Sequence, residues 1–145
     1  DIEETWLRSE VIEAVGVLKV RSAVETLLGY LSDADPYVRY KAAIALGNIG
    51  DSRAVRAIGK LLHDDARWSA FPTARVCDAA FTALKSINTP LALDLATDYL
   101  IEAFQHAEPS TAEFMSLENQ LLMINTIRGN AALDQRYREL KNFTA

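Results

Sequence analysis

The sequence predicts an all-α fold in which about four helix pairs stack on one another. The first observation is internal repetition: residues 7–24 recur 31 residues later, and residues 38–55 recur in weaker form at a shift of 38. The second is the helical spacing of apolar residues within each copy. The third is a glycine near the end of the leading helix in the two clearest copies, Gly16 and Gly47. Such repetition is typical of solenoids, where each unit buries its apolar face against its neighbours.

The repeats divide the chain, which we predict to be a single domain over residues 1–145, into successive units. The units are 1–33, 34–65, 66–104 and 105–145. The third unit is delayed by an inserted loop over residues 66–73, at a place where the other units have a short turn. The fourth unit keeps the spacing more than the residues, which is typical of a degenerate cap that faces water on one side.

Each unit is predicted to contain two amphipathic helices joined by a tight turn. In the second unit, Asp35 is a suitable N-cap for the first helix, since its carboxylate can accept a hydrogen bond from a free amide of the first turn. Gly47 and Gly50 are expected to end that helix. Either Asp51 or Ser52 is then expected to cap the next one.

Capping-box patterns mark two further helix starts. Ser22 with Glu25 opens the second helix of the first unit, and Ser110 with Glu113 opens the first helix of the last unit. In this motif each of the two side chains satisfies an amide that the helix leaves free. The Gly-Asn pair at residues 129–130 is predicted to separate the two helices of the last unit.

The composition argues against several classes of partner. Asp and Glu number 20 against 15 Lys and Arg, giving a net charge of −5. We therefore predict no nucleic acid partner, because phosphate binding depends on cationic side chains. No apolar run approaches the roughly 20 residues that cross a bilayer, so we predict no membrane association. The single cysteine, Cys77, cannot form an intrachain disulfide, which favours a cytoplasmic location.

The second unit carries a characteristic set of residues at fixed spacing. They are Asp33, Pro36, Val38, Arg39, Ala42, Ala45, Leu46, Gly47, Ile49, Gly50, Asp51, Ala54 and Val55. This pattern resembles HEAT repeats and, among them, the short prokaryotic subtype named after the phycobilisome lyases. The first unit also fits the pattern. The third fits it in part, with Cys77 at the position of Arg39 and Asn88 at that of Gly50.

The resemblance implies antiparallel helix pairs that stack with a small rotation into a right-handed α-solenoid. The first helices would lie outside and the second helices on the concave face. It also implies that Arg8 and Arg39 bond to aspartates in the turns of adjoining units, for which Asp51 is a candidate. Since Cys77 occupies the third such position, this ladder is expected to stop at the third unit.

The concave face is the predicted binding surface. In register, its rows are Glu25, Arg56, Asp94 and Asp134; then Gly29, Lys60, Asp98 and Arg138; then Ser32, His63, Ile101 and Lys141. One interpretation is a mixed-charge groove for a polar protein segment. The other is a solvated face whose ion pairs join adjacent units, each contributing about 0–1 kcal/mol.

The inserted loop is the second candidate surface. Trp68 and Phe71 would anchor a partner if they face solvent, because aromatic side chains dominate interface energetics. Alternatively, both fold back and bury the seam between the second and third units. Trp6 and Tyr37, at the starts of first helices, are expected to be packing residues.

Few residues suggest catalysis. His63 and His106 are not spaced as a pair of metal ligands, whereas the HEAT-like iron hydroxylases use paired His-Glu motifs. Cys77 has no histidine near it in sequence that would activate it as a nucleophile. We therefore predict a non-enzyme with no cofactor and no bound metal.

These observations favour a non-catalytic scaffold or adaptor, either free-standing or cut from a larger protein, that binds a protein partner on the concave face, the inserted loop or both. The terminal units, with Leu133, Tyr137 and Phe143, are candidates for self-association. The resemblance gives an alternative: an accessory subunit of a phycobilin lyase, which attaches bilins to phycobiliproteins. A third hypothesis is a HEAT-like DNA-binding or glycosylase domain, which the acidic net charge disfavours.

Overall fold

A computed structural model describes residues 2–68, 74–109, 111–124 and 127–143. The α-helices of these residues are α1 (Ile2–Val17), α2 (Val24–Tyr30), α3 (Pro36–Ile49), α4 (Val55–Gly59), α5 (Val76–Ile87), α6 (Pro90–His106), α7 (Ala112–Ile124) and α8 (Ile127–Phe143). Short 3-10 turns lie directly before α2 (Arg21–Ala23), directly before α4 (Ser52–Ala54) and directly after α4 (Lys60–His63). No strand occurs among the described residues, so the all-α prediction is confirmed for them. The chain divides into two compact units, Asp1–Ala92 and Leu93–Ala145.

The ends of α3 show why this segment is helical. The Asp35 carboxylate accepts a hydrogen bond from the Tyr37 amide at 2.8 Å, and Pro36 occupies the first turn, where a missing amide costs nothing. At the other end Gly50 is left-handed, with φ of 74°, and its amide donates to the Leu46 carbonyl. The predicted N-cap and C-cap are both confirmed.

The compact unit Asp1–Ala92 is a stack of the first helices of successive repeats, α1, α3 and α5, which we call the leading helices. α3 packs against α1 on one side and against α5 on the other, while the shorter α2 packs on α3 and α4 packs on α5. The buried faces consist of small and branched apolar residues. In α3 and α5 they include Val38, Ala42, Ala45, Leu46, Val76, Ala80, Ala83 and Leu84.

Glycine permits the closest approach at each of the two seams. A Cβ atom on Gly16 would lie 2.6 Å from the Ala45 Cα, and one on Gly47 would lie 2.7 Å from the Ala83 Cα. No side chain fits there, so the backbones touch. Gly47 is therefore a buried packing residue inside α3, and the prediction that it ends the helix is wrong. Lys85 stands at the corresponding position of α5 and is exposed.

The leading helices share a left-handed residue at their C-terminal ends. Lys19, Gly50 and Asn88 occupy equivalent positions in the repeats and have φ of 53°, 74° and 54°. At the end of α1, the amides of Lys19 and Val20 donate to the carbonyls of Gly16 and Val15, which is the Schellman arrangement. Lysine is the least suitable of the three residues, because its Cβ crowds the following carbonyl in this conformation.

The capping box predicted at Ser22 is absent from the described residues around the start of α2. Arg21–Ala23 form a 3-10 turn there, and neither Val20 before the turn nor Ala23 before α2 provides a side-chain cap. The Glu25 carboxylate instead accepts a hydrogen bond from Arg53 at 3.0 Å. A long-range ion pair has therefore replaced the local motif.

The second unit has its own apolar centre. Phe104 of α6 and Phe114 of α7 are both buried, with ring centroids 4.5 Å apart. The Thr111 hydroxyl caps α7 by accepting from the Phe114 amide, whereas the predicted cap Ser110 lies outside the described residues. Residues 129–130 belong to α8, so the predicted break at this Gly-Asn pair is wrong.

We predict opposite effects for two glycine-to-alanine changes. Gly47→Ala should lower the free energy of unfolding by about 1–2 kcal/mol, because the new methyl group cannot fit against Ala83. Gly29→Ala should raise it by about 0.5–1 kcal/mol, because that exposed α2 position has open space around a Cβ and alanine favours the helix. Urea unfolding followed by circular dichroism measures both; equal effects would contradict the seam contact.

We also predict that Lys19→Gly stabilises the chain. Relieving the left-handed lysine should raise the free energy of unfolding by about 1 kcal/mol. Lys19→Ala is the matched control, since it removes the same charge but keeps the Cβ, and it should give no such gain. If both variants gain equally, the loss of charge, rather than the backbone conformation, explains the effect.

Candidate functional site

Within the compact unit Asp1–Ala92, the predicted binding surface is exposed. Glu25 lies on α2, Arg56 on α4, and Lys60 and His63 in the 3-10 turn that follows α4. The opposite sides of the same helices are buried through Val24 and Leu27 in α2 and through Val55 and Ile58 in α4. The core thus fixes the direction in which the polar residues point.

Charged side chains on this surface differ in how they are paired. Arg53 donates to Glu25 at 3.0 Å and to the Asp51 carboxylate at 2.8 Å. The hydrogen bonds from Arg53 hold the pKa of Asp51 down, at about 2. Arg56 and Lys60 form no ion pair with a described residue. They are four residues apart and project from neighbouring turns.

The predicted rows also include Asp94 and Asp98, which belong to α6. Both carboxylates lie on exposed positions of α6. The alignment of these two residues with Arg56 and Lys60 in common rows stays a prediction.

Trp68 of the inserted loop lies on α3. Its ring centroid is 4.7 Å from that of Tyr40 and 5.3 Å from that of Tyr37. Trp68 thus folds back onto α3, whereas burial of the seam between the second and third repeats stays a prediction. Phe71 lies outside the described residues. Tyr37 is a packing residue, as expected, whereas Trp6 is 59% exposed, so the expectation that it packs is wrong.

The base of the inserted loop is tied by backbone hydrogen bonds. The Val76 amide donates to the Ala66 carbonyl at 3.2 Å, and the Cys77 amide donates to the Asp64 carbonyl at 2.9 Å. The start of α5 is therefore attached directly to the segment that follows α4. Beyond the loop, α5 packs on α3 as α3 packs on α1.

An arginine at the same position of α1 and α3 reaches an aspartate 25 residues further along the chain. Arg8 donates to Asp33 at 3.3 Å, and Arg39 binds Asp64 through two hydrogen bonds of 2.8 and 3.2 Å. The expected ladder of arginines and turn aspartates is thus present, although Asp51 is not its acceptor. In α5 the position belongs to the fully buried Cys77.

Arg39 also connects two turns of the stack. Its Nη1 donates to the carbonyls of Asp33 and Ala34, at 2.9 and 3.2 Å, while its other nitrogens hold Asp64. Burial of the Asp64 carboxyl opposes its ionisation, but the hydrogen bonds from Arg39 and from the Ala66 amide outweigh this and lower its pKa. The ion pair of Arg39 and Asp64 therefore holds the turn before α3 and the turn after α4 close to each other.

Sequence reasoning places Asp64 in a polar cluster with His63 and Asp65 at a helix end but misses it as the acceptor of Arg39, and it misses Tyr40 altogether. Asp64 could have been found from the repeat, because it stands 31 residues after Asp33. Tyr40 gave no signal, since its contact with Trp68 depends on where the inserted loop lies.

Residues 3–71 match the family model described as HEAT repeats, which supports a HEAT-repeat protein. An all-helical chain with this match fits an α-solenoid. HEAT repeats commonly mediate protein–protein interaction, which is consistent with a scaffold role. The match does not single out the phycobilisome-lyase subtype. No match was found among curated proteins.

Two further findings concern the described residues. They contain no cluster of three or more His, Cys, Asp or Glu side chains that could hold a metal ion. None of their helices is both long and apolar enough to span a membrane.

We predict that Arg39→Gln lowers the free energy of unfolding by about 2–3 kcal/mol, because four hydrogen bonds of a charged group are lost. Arg53→Gln is the matched control. Its side chain is 57% exposed, so its loss should be clearly smaller. Urea unfolding of both variants measures the difference; equal losses would contradict the role of Arg39 in joining the turns.

The Asp64 carboxylate predicts a dependence of stability on pH. Its pKa in the folded chain is lowered, so its stabilising effect is complete above the unfolded value of about 3.9 and is lost as the pH falls through the folded value. The difference in unfolding free energy between the chain and Asp64→Asn should therefore shrink below about pH 4. A difference that stays constant between pH 6 and pH 3 would contradict this origin.

Proposed function

We propose that the chain is a non-catalytic protein-interaction module of the HEAT type, which binds an acidic or mixed polar segment of a partner protein on the exposed surface of α2 and α4. The observation that carries the proposal is the exposed pair Arg56 and Lys60, on a chain whose residues 3–71 match HEAT repeats. Two cations at this spacing present their charge to the same side of a helix and suit a segment with two carboxylates.

The rigidity of the surface supports this function. α4 is anchored by the buried Val55 and Ile58, and the turn that follows it is held by the contact of Asp64 with Arg39. A surface that is already ordered loses little conformational entropy when a partner binds. The exposed cations would therefore contribute to affinity without first having to be fixed in place.

The charge pattern also indicates which part of the surface a partner would recognise. Arg53, next to these cations, is engaged by Asp51 and Glu25. Its charge is largely neutralised within the chain. A partner would therefore recognise Arg56 and Lys60 rather than Arg53, and the electrostatic contribution to its affinity should weaken as salt increases.

We predict that a partner recovered with the immobilised chain loses at least about tenfold in affinity for the variant Arg56→Glu/Lys60→Glu, because two attractive contacts become repulsive. The control variant Lys19→Glu/Lys85→Glu has the same net charge and changes exposed lysines at the ends of α1 and α5. Titration calorimetry measures both.

Equal affinity of the partner for the two variants would contradict the assignment of the surface. If the chain retains no protein in a saturable manner, the assignment as an interaction module is itself wrong. The helical circular dichroism of both variants should match that of the unchanged chain, because all four positions are exposed.

A further inference from the structure

Each of the leading helices α1, α3 and α5 carries an equivalent face, which we call its seam face. In α3 it consists of Val38, Ala42, Ala45 and Ile49, and in α5 of Val76, Ala80, Ala83 and Ile87. These eight residues are buried, the most accessible being Ile87 at 8%. The preceding leading helix covers each of these faces: α1 covers that of α3, and α3 covers that of α5.

The seam face of α1 has the same pattern but a different environment. Its residues are Leu7, Val11, Ala14 and Leu18, each 31 residues before its counterpart in α3. Leu7, Val11 and Leu18 are 60%, 55% and 75% exposed. A contiguous apolar stripe of this kind is typical of an interaction surface, because leaving it in water is unfavourable.

The two covered seam faces indicate what the uncovered one accepts. The central alanine is met by a glycine in both: Ala45 by Gly16 and Ala83 by Gly47, with virtual Cβ positions only 2.6–2.7 Å from the alanine Cα. Ala14 is the central alanine of α1. A helix that packs on it in the same way needs a glycine at that point, since a larger residue would hold the two backbones apart.

Charge adds a second requirement. At the seam between α1 and α3, Lys41 of α3 forms an ion pair with Glu13 of α1. The position of Lys41 corresponds to Glu10 in α1, and Glu10 is exposed. A helix covering α1 would complement this charge with a lysine or arginine in the place that Glu13 takes on α1.

We propose that the seam face of α1 is a second interaction surface, which binds a helix pair of the HEAT type whose leading helix carries a glycine opposite Ala14 and a cation opposite Glu10. Within Asp1–Ala92, a second copy of this chain has no leading helix with a glycine available to lie opposite Ala14. Gly16 and Gly47 are already buried against their own alanines, and α5 carries the exposed Lys85 instead. This surface is separate from Arg56 and Lys60 and goes beyond the function proposed above.

The test supplies such a helix pair from the chain itself. Residues 2–35 are added ahead of Thr5, so that Asp35 of the added copy precedes Thr5 as it naturally precedes Pro36, its equivalent in the repeat. Val11→Cys in the original copy reports on the seam face by its rate of maleimide labelling. Cys77 is fully buried and does not interfere.

The added copy should slow labelling at position 11 by at least about tenfold relative to the Val11→Cys chain alone, because the face becomes covered. The control is the same fusion with Gly16→Leu in the added copy, which should label nearly as fast as the chain alone. Glu10→Lys in the original copy should raise the thermal midpoint of the fusion by recreating the Lys41–Glu13 pair, and should not raise that of the chain alone.

Labelling as fast in the fusion as in the chain alone would overturn the proposal, whether the added copy is folded or unfolded by circular dichroism. So would equal protection by the added copies with Gly16 and with Leu at that position. A third result would favour a second copy as the occupant: labelling of the chain alone that slows as its concentration rises, together with a dimer in light scattering. None of these outcomes depends on a partner of Arg56 and Lys60.

Discussion

The contact between glycine in one leading helix and alanine in the next is the constraint on which the rest of the first unit depends. At Gly16 and Gly47 the helices touch through their backbones, because a Cβ at either position would overlap the facing alanine. This spacing explains why the neighbouring core positions carry small residues such as Ala42. It also brings successive turns close enough for Arg39 to bind both the turn before its own helix and the one that follows α4.

The inserted loop shows how an array accepts additional residues without losing its register. Ala66 and Val76, on either side of the loop, are joined by a hydrogen bond between their backbone groups, and Asp64 and Cys77 by another. Backbone bonds do not depend on the side chains of the inserted residues, so the length of the loop can vary while α5 still packs on α3. Trp68 adds apolar contact with Tyr40, which covers part of α3 that faces the loop.

The sequence predicted features that depend on local chemistry and missed those that depend on distant contacts. The cap at Asp35 and the left-handed Gly50 follow from neighbouring residues and were predicted correctly. Ser22 matched a local motif, but Glu25 found a partner in Arg53, 28 residues away. Gly47 was misassigned for the same reason, since its role lies in a contact with Ala83 of another helix. The exposed positions of Arg56 and Lys60 could be predicted, because the helical spacing of the buried apolar residues also identifies the residues that face solvent.

The two exposed surfaces differ in chemistry, and the difference follows from the repeat. The surface of α4 and of the turn after it is polar because the core needs only one side of this segment, so Arg56 and Lys60 can be changed without disturbing Val55 and Ile58. The seam face of α1 has no such freedom. Its apolar pattern is the one that buries α3 and α5, and it is suited to another helix of the same kind rather than to a solvated peptide. We therefore expect an array of this type to separate two kinds of binding: recognition of other proteins by exposed polar residues, and extension of the stack by residues that the packing itself determines.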